Sequence, residues 1–131
     1  MIGIDTNVLV RFLIRDDESQ FEKARKLIKR EVTAGRRVFV NQLVIIETEW
    51  VLRSRYAVPK VKIIEAISSL LDSIEIQFED EPSIEEALFL WKDSSADFAD
   101  CLIGVKNRRQ GCRSTATFDA KVSQLPGFVA V

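Results

Sequence analysis

MIGID (residues 1–5) running straight into TNVLVRFLIR (residues 6–15) is the stretch that decides the fold. Met1-Ile2-Gly3-Ile4 is a short apolar run stopped by a carboxylate, which predicts a buried first strand. From Thr6 onward the apolar residues recur at helical spacing, so a helix follows the strand with Asp5 at the junction. A strand handing directly to a helix is the opening of an α/β domain. In such domains ligands gather just beyond the carboxyl ends of the strands, and Asp5 falls there.

The same alternation continues outward. Ser19 and Glu22 have the spacing of a capping box, predicting a helix over FEKARKLIKREVTA (21–34) with Phe21, Ala24, Leu27, Ile28 and Val32 on one stripe. Gly35 closes it, and Arg37 to Val40 reads as a second strand. Asn41 and Gln42 lead into LVIIETEWVLRSRY (43–56), apolar on nearly every side and so expected to be a well-buried helix. Pro59 suits the first turn of KVKIIEAISSLLDSI (60–74), and Ile74 to Gln77 alternates like an edge or third strand. Ser83 and Glu86 repeat the capping-box spacing before IEEALFLWK (84–92). A loop at Asp93 to Ser95 precedes a helix that begins at Asp97 or one residue earlier and ends at Gly111. Arg113 to Thr117 is β-prone, Phe118-Asp119 opens a helical turn, and Phe128 to Val131 is a last strand. The expectation is one α/β domain over residues 1–131 with a largely parallel sheet.

Composition narrows the chemistry. The chain has 131 residues, 47% of them hydrophobic and 30% charged, in the range of a globular domain that buries a core. No apolar run approaches the roughly 20 residues that span a bilayer, and no basic leader precedes the first strand, so a cytoplasmic location with no membrane partner is expected. Histidine is absent. That excludes Ser-His-Asp and Cys-His catalysis and any His-ligated zinc site. Cys101 and Cys112 lack metal-ligand spacing and are expected to be semi-buried free thiols. A net charge of −1 gives no global field for nucleic acid. Contacts to RNA would have to come from local clusters: Arg11 with Arg15, Arg53 with Arg55, and Lys106, Arg108 and Arg109 with Arg113.

What remains is carboxylate chemistry. Asp5, Glu47, Asp100 and Asp119 each stand where an apolar run ends or a helix turns inward, with polar Thr6, Asn7 and Thr117 beside them. Gathered carboxylates repel and lose hydration, so four that converge call for a divalent cation such as Mg²⁺ or Mn²⁺. Each acid also has a plain structural role to set beside the chemical one. Asp5 could cap the following helix. Glu47 could pair with an arginine, and Glu49, two residues on, faces elsewhere. Asp97, three residues before Asp100, could serve the helix dipole. Asp119 could form an Asx-type turn. Trp50 and Trp91 are expected to be core aromatics.

Taken together, DTNVLVRFL (5–13), VIIETEWVL (44–52), ADFADCLI (96–103) and TFDAK (117–121) resemble the successive motifs of the PIN domain family, and most closely its VapC-type toxin ribonucleases from toxin–antitoxin pairs. The resemblance covers almost the whole chain. It implies a three-layer α/β/α sandwich around a short, mostly parallel sheet. It implies Mg²⁺- or Mn²⁺-dependent endoribonuclease activity on RNA such as tRNA or rRNA, a homodimer, and a cognate antitoxin that covers the site. Asp5, Glu47, Asp100 and Asp119 match the family's catalytic and metal-binding acids, Asp97 a frequent further acid, and Asn7 and Thr117 its supporting polar positions.

Two other readings are weighed against this one. An aspartyl-phosphate phosphotransferase or receiver-like domain also puts Asp after a first strand, but the former needs a second Asp where Asn7 stands. Asp16 and Asp17 lie too far on to be a receiver's acidic pair. A catalytically silent PIN-fold partner-binding protein would keep the fold without turnover.

Overall fold

The computed structural model describes all of residues 1–131. Its elements follow the order β1 (Ile2–Gly3), α1 (Thr6–Leu13), α2 (Glu18–Thr33), β2 (Val38–Val40), α3 (Gln42–Ser54), α4 (Lys60–Asp72), β3 (Ile76–Phe78), α5 (Glu81–Lys92), α6 (Phe98–Arg109), β4 (Thr115–Thr117) and β5 (Phe128–Ala130), with a 3-10 turn at Val122–Gln124. Every strand pairing is parallel. The chain resolves into two compact units, Met1–Glu79 and Asp80–Val131. Helices alternate with short parallel strands throughout, an α/β fold.

In the first unit β1, β2 and β3 lie side by side in that order, with Ile2 beside Val38 and Val38 beside Ile76. Ile4 donates its backbone N–H to Phe39 O at 3.1 Å, which carries the pairing past β1 to the residue before Asp5. Helix α1 packs on α2 and α3. Leu9, Val10, Ile28, Val38, Val40, Ile45, Leu52, Ile63 and Ile67 form the buried interior. The first strand departs from expectation. Ile2 and Gly3 are exposed on this edge strand, and only Ile4 of the opening run is buried. A two-residue strand has too little length to place both faces under helices.

In the second unit α5 and α6 pack against each other beside the parallel pair β4 and β5. Trp91 and Phe98, both buried, meet with ring centroids 5.5 Å apart and fix the start of α6 against α5. Gly104 lets α6 approach β5. A Cβ there would lie 2.4 Å from the Phe128 ring.

Both expected capping boxes are corrected. Asp17, not Ser19, caps α2, its carboxylate accepting from Gln20 N at 3.0 Å. Asp80, not Ser83, caps α5 in a left-handed conformation (φ +51°), accepting from Ser83 N and from Ser83 Oγ, the latter at 2.7 Å. An aspartate just ahead of the helix reaches the free N–H groups directly, and each serine falls within the first turn. Cys101 is buried, whereas Cys112 is exposed rather than semi-buried.

Candidate active site

Asp5 enters its position because β1 ends and α1 begins without a loop. It is extended at φ −92°, ψ 178°, and its Oδ1 accepts from Val8 N at 3.0 Å, so it is the N-cap of α1. The capping role anticipated as its plain alternative is real, yet it engages one carboxylate oxygen only. Thr6, the next residue, donates its hydroxyl to Glu47 Oε2 at 3.2 Å and so ties α1 to α3. Asn41 caps α3 by accepting from Val44 N at 2.9 Å. Asp5, Thr6, Asn7, Asn41 and Glu47 all line one open groove of about 550 Å³.

Glu47 and Glu49 separate as the helical geometry requires. Glu49 is buried, at 2% exposure, and its Oε2 accepts from Arg53 Nε at 2.8 Å. Glu47 is exposed on the groove side and carries no ion pair. The arginine partner that would have made Glu47 purely structural belongs instead to Glu49. Helix α3 is also not buried all round. Leu43 is 69% exposed and Trp50 52%, which corrects the expectation that both tryptophans lie in the core. Trp91, at 2%, fulfils it.

In the second unit Asp97 caps α6, and Asp100 one turn later accepts from the Asp97 backbone N–H at 3.4 Å. Burial raises the pKa of Asp100 from its ordinary value. The nearby charges of Asp97 and Asp119 push it the same way, against the lowering effect of the Asp97 N–H. Asp119 forms the Asx-type turn foreseen for it, its Oδ1 accepting from Lys121 N at 2.8 Å and Val122 N at 3.2 Å. Thr117 Oγ1 accepts from Asp119 N at 3.0 Å and so holds that turn in place.

The structure thus brings Asp5 and Glu47 to one groove, and Asp97, Asp100 and Asp119 within electrostatic reach of one another. Within neither unit do three or more Asp, Glu or Cys side chains stand close enough together to hold one ion as they are. The donor chemistry still suits a hard cation. Mg²⁺ takes one or two carboxylates and keeps several waters, and every free donor here is an oxygen. None of the five acids forms a salt bridge; the nine ion pairs of the chain use Asp16, Glu18, Glu22, Glu31, Glu49, Glu65, Asp80 and Glu86.

Most of the basic clusters serve other ends. Arg11 donates to Tyr56, Gln20 and Asp16, and Arg15 pairs with Glu18 and lies 4.3 Å over the Phe21 ring. Lys106 pairs with Asp80, while Arg108 and Arg109 both hold Glu86. Those cations look free in the sequence because their partners are 22 to 26 residues away. Arg55, by contrast, makes no ion pair and lines the groove of Glu47. Its position was legible only as one half of a doublet with Arg53.

The sequence pattern of the PIN domain family matches residues 2–127. A VapC ribonuclease of Aquifex aeolicus (strain VF5) is 30% identical over 128 residues, covering 98% of this chain and 93% of that protein. Among solved structures, the Mycobacterium tuberculosis VapC20, a sarcin–ricin-loop-cleaving toxin, aligns over 94% of this chain and 93% of its own at 19% identity and a TM-score of 0.44, too shallow a likeness to carry an inference. With a family match spanning nearly every residue and a relative aligned end to end, the chain belongs to the PIN domain family.

Proposed function

We propose that this protein is a divalent-metal-dependent endoribonuclease of the VapC type, a single PIN domain over residues 1–131 that cuts RNA such as tRNA or rRNA and is held silent by a cognate antitoxin. It acts in the cytoplasm as a homodimer. The observation that carries the reading is placement: Asp5 and Glu47 line one groove, with Thr6 tied to Glu47, and Asp97 and Asp119 lie within electrostatic reach of Asp100. The VapC ribonuclease name of the 30%-identical relative supports it.

Asp5, Glu47, Asp100 and Asp119, with Asp97, would hold Mg²⁺ or Mn²⁺. When bound, such an ion supplies a water of lowered pKa and neutralises charge at the phosphate. The chain's own residues do the rest. Thr6 orients Glu47 through its hydroxyl, leaving the second Glu47 oxygen for the ion. Val8 N fixes one oxygen of Asp5, leaving the other for the ion. Thr117 holds the backbone that carries Asp119, and Asn7 borders the groove beside Asp5. Burial and the charges of Asp97 and Asp119 disfavour ionised Asp100, a repulsion that a bound cation would offset.

The test is cleavage of total tRNA and rRNA by the purified protein with Mg²⁺ or Mn²⁺ and with EDTA, alongside Asp100→Asn. Cleavage that needs the ion and the carboxylate is the expected result. Cleavage indifferent to both would overturn the reading. Binding of the ion without cleavage of any RNA would favour the silent partner-binding protein instead.

A further inference from the structure

We propose that Trp50 and Arg55 form a platform on which the RNA substrate lays one nucleotide, the indole stacking a base and the guanidinium holding a flanking phosphate. The proposal rests on the ribonuclease reading above and names residues for which that reading has no role.

Trp50 is the starting point. Tryptophan on a helix this apolar ordinarily packs inward, as Trp91 does at 2% exposure. Trp50 instead stands 52% exposed while Ile45, Thr48, Glu49 and Leu52 of the same helix are buried. It lies three residues after Glu47, on the same helix face, with Leu43 one turn earlier. Leu43, Glu47 and Trp50 border the groove that Asp5 and Thr6 also line. The open aromatic and the candidate acids therefore share one concave surface rather than being scattered.

Arg55 supplies the charge. Its neighbour Arg53 is committed to buried Glu49, whereas Arg55, the C-cap of α3, has no acidic partner and lines the same groove. A flat aromatic face, an unpaired guanidinium and a carboxylate edge in one groove suit a single-stranded nucleotide. Bases of unpaired RNA stack on exposed aromatic side chains whatever their identity, and Arg grips the backbone phosphate. The groove's volume of about 550 Å³ also falls in the roughly 300–1,000 Å³ range of small-ligand sites. A protein partner would be met mainly by apolar burial, but here a free cation and a free carboxylate flank the indole.

The two tryptophans make the test direct, because one is open and the other buried. Oligouridylate added in EDTA, where no cutting occurs, should quench the fluorescence of Trp50 and leave that of Trp91; Trp50→Phe should remove the quench. On a cleavable oligoribonucleotide with Mn²⁺, Trp50→Ala should raise KM about tenfold, the order of one lost base stack, with kcat within about threefold of wild type. Trp50→Tyr should restore most of the loss. Arg55→Ala should weaken binding to any sequence and reduce the salt dependence by about one phosphate contact. No quench in the wild type, or an unchanged KM in Trp50→Ala, overturns the platform. So does a wild-type dimer that Trp50→Ala converts to a monomer, because this face would then belong to a second copy. Quenching in a protein that cuts no RNA would support the platform and sink the ribonuclease reading. If Trp50→Ala fails to fold, Trp50→Tyr and the wild-type quench decide alone.

Discussion

The two ends of α6 treat charge in opposite ways. At its C-terminal end Lys106, Arg108 and Arg109 are all matched, to Asp80 and Glu86. At its N-terminal end Asp97 and Asp100 have no cation, and Asp119 adds a third negative charge. The pKa values follow. Glu86 is lowered, first by its hydrogen bond from Arg108, and Asp80 first by Lys106, while Asp100 is raised by burial and by its acidic neighbours. One end of the helix contributes stability. The other gives some up, which is where a functional site is expected to show.

The largest effect should come from breaking the unpaired end. Asp100→Asn is expected to lower RNA cleavage on the order of a thousandfold, measured by single-turnover rates with Mn²⁺. The same substitution should raise the melting temperature of the ion-free protein at neutral pH. The sign follows from the raised pKa: below the unfolded-state value both states hold the proton and nothing is lost, whereas above the folded-state value the ionised form penalises folding. The gain should therefore fade as the pH drops through the carboxylate range. A lower melting temperature at pH 7 would refute that account of Asp100. Adding Mg²⁺ or Mn²⁺ should raise the wild-type melting temperature and leave Asp100→Asn nearly unmoved.

Next in size is Thr6→Val, which removes the hydroxyl that orients Glu47 and should slow cleavage about 10- to 100-fold without unfolding the protein. Gly104→Ala tests packing alone. The Phe128 ring must move to admit the new methyl, at a cost of about 1–3 kcal/mol in a denaturant titration, with ion-dependent activity retained in the folded fraction. The smallest effect belongs to the paired end. Glu86→Gln should destabilise modestly at neutral pH, and the difference from wild type should shrink as the pH falls through the lowered pKa of Glu86. This dependence is opposite in sign to that of Asp100→Asn. Parallel pH–stability curves for the two variants would erase the contrast between the ends.

The alternation of strands and helices was legible in the sequence because it rests on local periodicity. MIGID, RVFV and RSTAT all mark parallel strands, and Gly35 and Gly111 take the left-handed conformations that end α2 and α6. Glu47 could be told from Glu49 because two residues on a helix point to different sides. What was not legible depended on partners distant in the chain. LVIIETEWVL is apolar nearly all round, so nothing in it says that Leu43 and Trp50 face outward; packing against α1 and α4 decides that. The basic run at the end of α6 looks like a phosphate grip until Asp80 and Glu86 appear beside it. The serine boxes differ for a local reason. Asp17, two residues before Ser19, and Asp80, three before Ser83, take the free N–H groups at the helix starts, so each helix begins ahead of its serine.

The brevity of the strands has a consequence for inhibition. None exceeds three residues, and β1, at the margin of its sheet, has two. A foreign polypeptide could form only a few main-chain hydrogen bonds alongside them, so annealing as an added strand gains little. A protein partner of this chain would gain more from side-chain and helix contacts, so its specificity would be open to change by point substitutions at those contacts.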